Sequence, residues 1–217
     1  MPTAPGILAR GPWEPDQVQV SWRADEFEPG PAVIESADVA LDALRRRGSP
    51  SHDGLAARLT GFRAESERLY MELQPMRWAV RLASDAEQSL SVLCVVRAAD
   101  GSWLAGRRAQ WLASWAGRWA LGAGGSVEVD ENPAETLRRE LREEWSVDPA
   151  RLRAEALVQL QSGMVLLVGQ AWLQDGATVA PDAEHDEFAW WPPEVDRWPQ
   201  EADEPLRLVG ALLGGAA

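Results

Sequence analysis

The sequence has no lysine, one cysteine, two histidines and one tyrosine among its 217 residues. A single cysteine, Cys94, excludes an intramolecular disulfide. With only His52 and His185 beside it, the chain is too poor in soft ligands for a structural zinc site. No run of about 18 apolar residues is present, so no helix is expected to span a membrane. The first residues, "MPTAPGILARGPWEPD", lack the charged-then-apolar order of a signal peptide, and a cytoplasmic location is expected. Basic charge is also scarce. The 21 basic residues, all arginine, face 34 acidic ones, for a net charge of −13. That balance argues against a nucleic-acid duplex as partner, because such binding draws its affinity from a basic surface. Phosphates of a small ligand remain within reach if arginines or metal ions neutralise them locally.

What is there is globular: 46% hydrophobic and 25% charged residues. Residues 1–16, rich in Pro and Gly, read as a loose arm. "QVQVSW" (17–22) alternates as a strand does, and "ESADVALDALRRRG" predicts a helix stopped by Gly48. Past the turn cluster "GSPSHDG", the segments "LAARLTGF" and "RLYMELQP" flank "RAESE" as a hairpin would, with a helix over 58–73 as the rival reading. "SLSVLCVVR", "ADG" and "SWLAGRR" predict a buried strand, a tight turn and its partner, and Cys94 falls in that core. After the Trp-rich 109–121 comes "GAGG", then a helix rich in glutamate. "AEALVQLQ" and "MVLLVGQAWLQ" predict strands, an acidic loop precedes the strand "FAWW", and "DEPLRLVGALLG" predicts a closing helix. Strands on both sides of a helix, joined by hairpins and crossovers, indicate a mixed α/β (α+β) sandwich. The division expected is an N-terminal extension over 1–84 and a second domain over 85–217.

The glutamate helix carries the chemistry. Asn132 is placed to cap it, Pro133 suits its first position, and Glu135 completes an N-x-x-E variant of the capping box. At about 100° per residue, Ala134, Leu137, Leu141 and Trp145 form one apolar stripe. Glu140, Glu143 and Glu144 share the adjacent arc, where neighbours three and four apart can converge. A solvated charged face is the plain alternative. Yet Glu140 and Glu144 are like charges four apart, a spacing that costs a few tenths of a kcal/mol rather than stabilising. Converging carboxylates suit hard divalent cations.

The surrounding spacing narrows this. Gly125, Glu131, Arg139, Glu140, Leu141, Glu143 and Glu144 follow G-x5-E-x7-R-E-U-x-E-E, with U apolar, and Val147 supplies the apolar end. Six fixed residues at set spacing arise by chance in roughly one chain of this length in several thousand. The stretch resembles the signature box of the Nudix hydrolases, with one departure: Ser146 stands where the family has a glycine that caps the helix in a left-handed conformation. A serine there should cost about 1 kcal/mol or shift the cap.

The resemblance implies an α/β/α sandwich with a mixed sheet. It implies a metal-dependent pyrophosphohydrolase that cleaves a nucleoside diphosphate linked to another moiety, a nucleotide sugar or ADP-ribose for example, by attack of water on phosphorus. Glu140, Glu143 and Glu144 would be catalytic and would hold Mg²⁺ (or Mn²⁺), with a backbone carbonyl at Gly124. Gly125, Glu131 and Arg139 would support the site, the latter two as a pair. From the later loop "DAEHDEFAWW", Glu184, Asp186 and Glu187 lie where relatives place a further ligand or base; Glu187 is taken as the catalytic candidate, and His185 as a surface residue. Arg107 and Arg108 are candidates for binding the substrate's phosphates. The order "VSWR", "SHDGLAARLTGF", "RLYMELQP" loosely resembles the extension of some members that act on UDP-sugars, and the extension is also available to build a homodimer. The alternative is a silent domain of the same family that binds a nucleotide ligand as a sensor or interaction module. An isopentenyl-diphosphate isomerase shares the sandwich but needs a cysteine near the box, and Cys94 lies upstream.

Overall fold

Apolar residues of the strand Leu90–Arg97 (β5) face both ways, which places β5 at the centre of the molecule. Leu90, Val92, Cys94 and Val96 enter one core, while Val95, with Leu93 against it, enters another on the opposite face. A strand buried on both faces needs a layer on each, and the alternation of period two supplies it. The computed structural model describes residues 6–49, 53–83, 87–112 and 114–214.

The elements run in chain order as β1 (Gly6–Trp13), β2 (Val18–Trp22), α1 (Pro31–Arg46), β3 (Leu55–Ala64), β4 (Leu69–Arg77), then β5. They continue with β6 (Trp103–Arg108), β7 (Trp119–Leu121), α2 (Pro133–Trp145), β8 (Arg151–Gln159), β9 (Val165–Trp172), β10 (His185–Trp191) and α3 (Glu204–Gly214). The large sheet is ordered β1-β8-β9-β5-β6-β10, with β7 also paired to β6. Within this sheet, among the described residues, β5 and β9 alone pair in parallel; its other ladders are antiparallel. Ala134, Leu137, Leu141 and Trp145 of α2 pack into the core on one face, and Leu206 and Leu213 of α3 into that on the other. The result is the expected α/β/α sandwich around a mixed sheet.

A second sheet, β2-β4-β3, comes from the N-terminal part of the chain. β3 and β4 form the expected hairpin, closed by the Glu65 N–H to the Arg68 carbonyl, so the rival helix is not formed. Leu59, Leu69, Met71 and Leu73 of this sheet share the core of β5 and α2. The Ala57 and Leu59 N–H groups donate to the Val127 and Gln88 carbonyls at 2.8 and 3.0 Å. α1 packs through Ala37 and Leu41 on Ala79 of the short 3-10 turn Trp78–Leu82.

The arm expected to be loose is, over Gly6–Trp13, the edge strand β1, paired antiparallel to β8 with Trp13 fully buried. Residues 1–5 of the arm lie outside the described residues, as do residues 50–52 of the turn cluster, His52 among them. Among the described residues no helix is long and apolar enough to cross a membrane.

Candidate active site

The Asn132 side chain caps α2 by accepting from the Ala134 N–H at 2.9 Å, while its amide donates to the Val18 carbonyl at 2.8 Å. The bond is an N-cap to the second helical residue, and the Glu135 N–H at the third position donates to the Asn132 backbone carbonyl instead, so the anticipated capping box is not formed. The cap sets the helix against the sheet so that Glu140 and Glu144 point inward, 7% and 3% exposed, whereas Glu143 faces solvent. The loop 122–127 runs antiparallel to β5, with the Cys94 and Val92 N–H groups bonded to the Ala123 and Gly125 carbonyls at 2.8 Å each. Among the described residues no backbone N–H donates to the intervening Gly124 carbonyl.

Loop and helix meet without room for a side chain. A Cβ on Gly125 would lie 2.1 Å from Glu140 Oε1, so only glycine lets that carboxylate rest on the loop. The Gly124 N–H donates to Glu144 Oε1 at 2.9 Å. Arg139 reaches Glu131 through Nε and Nη2 at 2.9 and 3.1 Å, and Nη2 also donates to the Ser126 carbonyl. Its Nη1 lies 2.8 Å from Glu140 and 3.0 Å from Glu143. Arg139 thus holds two of the three helix carboxylates. Among the described residues no three acidic, His or Cys groups are gathered at one point.

Burial governs the charge state of this cluster. It pushes Glu140 up to about 7, against the pull of Arg139, and holds Glu144 well above the usual carboxylate range, against the Gly124 N–H. Glu144 Oε2 is buried and has no hydrogen-bond partner. A buried oxygen left unpaired is costly unless something is meant to fill it.

The strand pair β6–β10 sorts the remaining candidates by face. His185 stands opposite Arg108, and Glu187 opposite Arg107. Arg107 is also opposite Trp119, which packs into the core beneath α3. Directly opposed residues share a face, so Arg107 and Glu187, paired at 3.3 Å, lie on the side of the sheet away from α2. The expectation groups them with Glu140 and Glu144, whereas the register puts the two pairs on opposite faces of the sheet. Arg108 is on the α2 face, 3.6 Å from Glu184. Burial raises Glu184, which feels the charges of Arg108, Asp182, Arg81 and Glu143. The nearer loop carboxylate is Glu184.

His185 is not at the surface either. It is 6% exposed, its ring 4.4 Å from that of Trp145. A Cβ on Gly106 would collide with it at 2.2 Å. Nε2 lies 3.6 Å from Glu144 Oε2 and Nδ1 3.6 Å from Asp182, too far to hydrogen-bond. Burial, then Arg108, lower its pKa and favour the neutral ring.

One residue escaped sequence reasoning. Arg81, in the 3-10 turn after β4, donates to Ser126 Oγ beside Gly125, as does Trp78 Nε1 at 3.1 Å. Burial, then Arg108, push its pKa down to about 10, and it feels the charges of Glu140 and Glu184. Nothing in "RWAVRL" distinguishes this arginine from the other 20 basic residues; only the docking of the N-terminal sheet brings it to the loop.

The sandwich, the loop lying on β5 and the acidic inner face of α2 are the parts from which a Nudix domain is built. The family model for the NUDIX domain matches residues 87–208, more than half of the chain, and the chain belongs to this family. Three solved structures are similar in fold. The MutT protein of Methanosarcina mazei Go1 shares 23% identity over 57% of this chain and 92% of its own, with a TM-score of 0.44. The NUDIX domain of Shewanella oneidensis NrtR, solved with ADP ribose, shares 23% over 57% and 86%, with a TM-score of 0.45. The MutT NUDIX hydrolase of Burkholderia pseudomallei shares 21% over 58% and 97%, with a TM-score of 0.48. No curated protein matches the chain.

Proposed function

We propose that this protein is a cytoplasmic Mg²⁺- or Mn²⁺-dependent pyrophosphohydrolase that cleaves a nucleoside diphosphate linked to another moiety. The observation that carries this reading is the unpartnered Glu144 Oε2, buried next to Glu140 under the glycine loop. A carboxylate oxygen with no donor, beside a second buried carboxylate and an open backbone carbonyl at Gly124, is a donor set for a hard cation. Glu143, exposed on the same helix arc, completes it by turning from Arg139. When bound, the ions neutralise the diphosphate and lower the pKa of the attacking water.

The chain's own residues do the rest. Arg108 and Arg81 supply positive charge on the α2 face for the phosphate oxygens. Glu184, raised by burial, is placed to take the proton of the attacking water. The pair Glu131–Arg139 fixes the loop against the helix, so that Gly124 and Glu144 keep their distance. Residues 1–84 act as an extension that delivers Arg81.

The test is a hydrolysis panel with Mg²⁺ and with Mn²⁺ over UDP-sugars, ADP-ribose, dinucleoside polyphosphates, NADH and nucleoside triphosphates, with products read by mass spectrometry. Cleavage of one class, abolished by EDTA, is expected. Silence across the panel, with one compound still raising the melting temperature, would replace hydrolysis by ligand sensing.

A further inference from the structure

We propose that the sheet carries a second ligand site on the face opposite α2, built for a small phosphomonoester that also bears hydroxyl groups. A cavity of about 290 Å³ opens there, lined by Arg97, Arg151, Arg153, Gln170 and Trp172 and closed by Leu213 of α3. Strand register constructs it. Arg151 and Arg97 flank Trp172 from the two neighbouring strands, and Arg153 and Val95 flank Gln170 one row deeper. Val95 belongs to the core beneath α3, which fixes the face. In a chain of net charge −13, three guanidiniums in one cavity are an exception to the composition.

Two observations point to a ligand. Gln170 is 2% exposed and its Oε1 accepts no hydrogen bond; a buried acceptor of this kind calls for a donor. Arg97 is partly buried, spends Nε and Nη2 on the Gly101 carbonyl at 2.9 and 2.6 Å, and lies 3.8 Å over the Trp103 ring. Among the described residues no carboxylate pairs with it. Arg153 pairs with Glu155, and Arg151 stands 3.5 Å from Glu14. Guanidinium groups select phosphate oxygens, which they grip in bidentate fashion. The acceptor on Gln170 selects a hydroxyl. A volume at the lower end of the small-molecule range excludes a dinucleotide and suits a sugar phosphate.

Calorimetric titration with ribose 5-phosphate in EDTA tests this, with ribose and inorganic phosphate as half-ligands. EDTA keeps the α2 carboxylates free of metal. Ribose 5-phosphate should bind more tightly than either half. Binding should weaken about tenfold in Arg151→Gln and in Gln170→Met, and be unchanged in Glu144→Gln. Gln170→Met should melt no lower than the parent, because it removes an unsatisfied oxygen at equal bulk. Equal affinity in parent, Arg151→Gln and Gln170→Met would overturn the proposal, and loss of binding in Glu144→Gln would move the ligand to the α2 face.

Discussion

Ser146 ends α2 in the left-handed region, at φ 53° and ψ 36°, with its N–H bonded to the Arg142 carbonyl at 3.0 Å. An L-residue with a Cβ is strained there, whereas glycine is not. Ser146→Gly should therefore stabilise the protein by about 0.5–1 kcal/mol, seen as a higher denaturant midpoint at unchanged slope. The gain stays below the full steric relief because glycine also loosens the unfolded chain. The carboxylates of β10 and the loop before it give a sharper contrast. Glu184→Gln should lower kcat by about 10²-fold or more, and Glu187→Gln by less than about twofold, measured on whichever compound the protein cleaves. The helix half of the site was legible because 3.6-residue periodicity and box spacing place Glu140 and Glu144 together. The β10 half was not. A register shift lies between His185 and Glu187, and one extra residue reverses which face every later side chain takes. Counting by twos through "EHDEF" cannot reveal that.

At the scale of elements, the glycine loop and α2 form one unit and the N-terminal sheet another, and Ser126 joins them. Trp78 and Arg81 hold its hydroxyl, while Arg139 holds its carbonyl. Arg81→Gln should leave the melting temperature near that of the parent but lower kcat/KM by about 10- to 100-fold, because a charged donor to phosphate is lost. β1 shows what periodicity misses. "GILARGPW" holds two glycines and a proline and does not alternate, and its ladder with β8 is interrupted by two shifts. Its pairing comes from the partner strand and from Trp13, which is fully buried. Trp13→Ala should cost about 3–5 kcal/mol by denaturant unfolding; a cost below about 1 kcal/mol would mean that the strand is dispensable. By contrast β5, β8, β9 and α3 announced themselves as long apolar runs, which only a two-faced core can bury.

For the molecule as a whole, the site stores unfavourable charge, and pH reveals it. Glu140 goes from an ordinary 4.5 to about 7 on folding. A carboxyl raised in this way binds its proton more tightly when folded. Its stabilising contribution is thus full below pH ~4.5 and is lost as pH rises through about 7. The loss amounts to about 3 kcal/mol at most, and Glu144, raised for the same reason, adds to it in the same direction. In EDTA, Glu140→Gln should gain stability over the parent between pH ~5 and pH ~8. A divalent ion reverses the balance by favouring the ionised carboxylates. Millimolar Mg²⁺ should then raise the melting temperature more at pH ~8 than at pH ~5. An equal rise at both would mean that the ion binds elsewhere.

Whether Glu144 holds a divalent ion is decided by Mn²⁺ binding, read by electron paramagnetic resonance in the parent and in Glu144→Gln. The variant keeps the size of the side chain and removes the charge whose second oxygen stands unpartnered under the loop. Mn²⁺ should bind tightly to the parent and at least about tenfold more weakly to the variant, with an unchanged fold by circular dichroism. Equal binding in the two proteins would contradict Glu144 as its ligand.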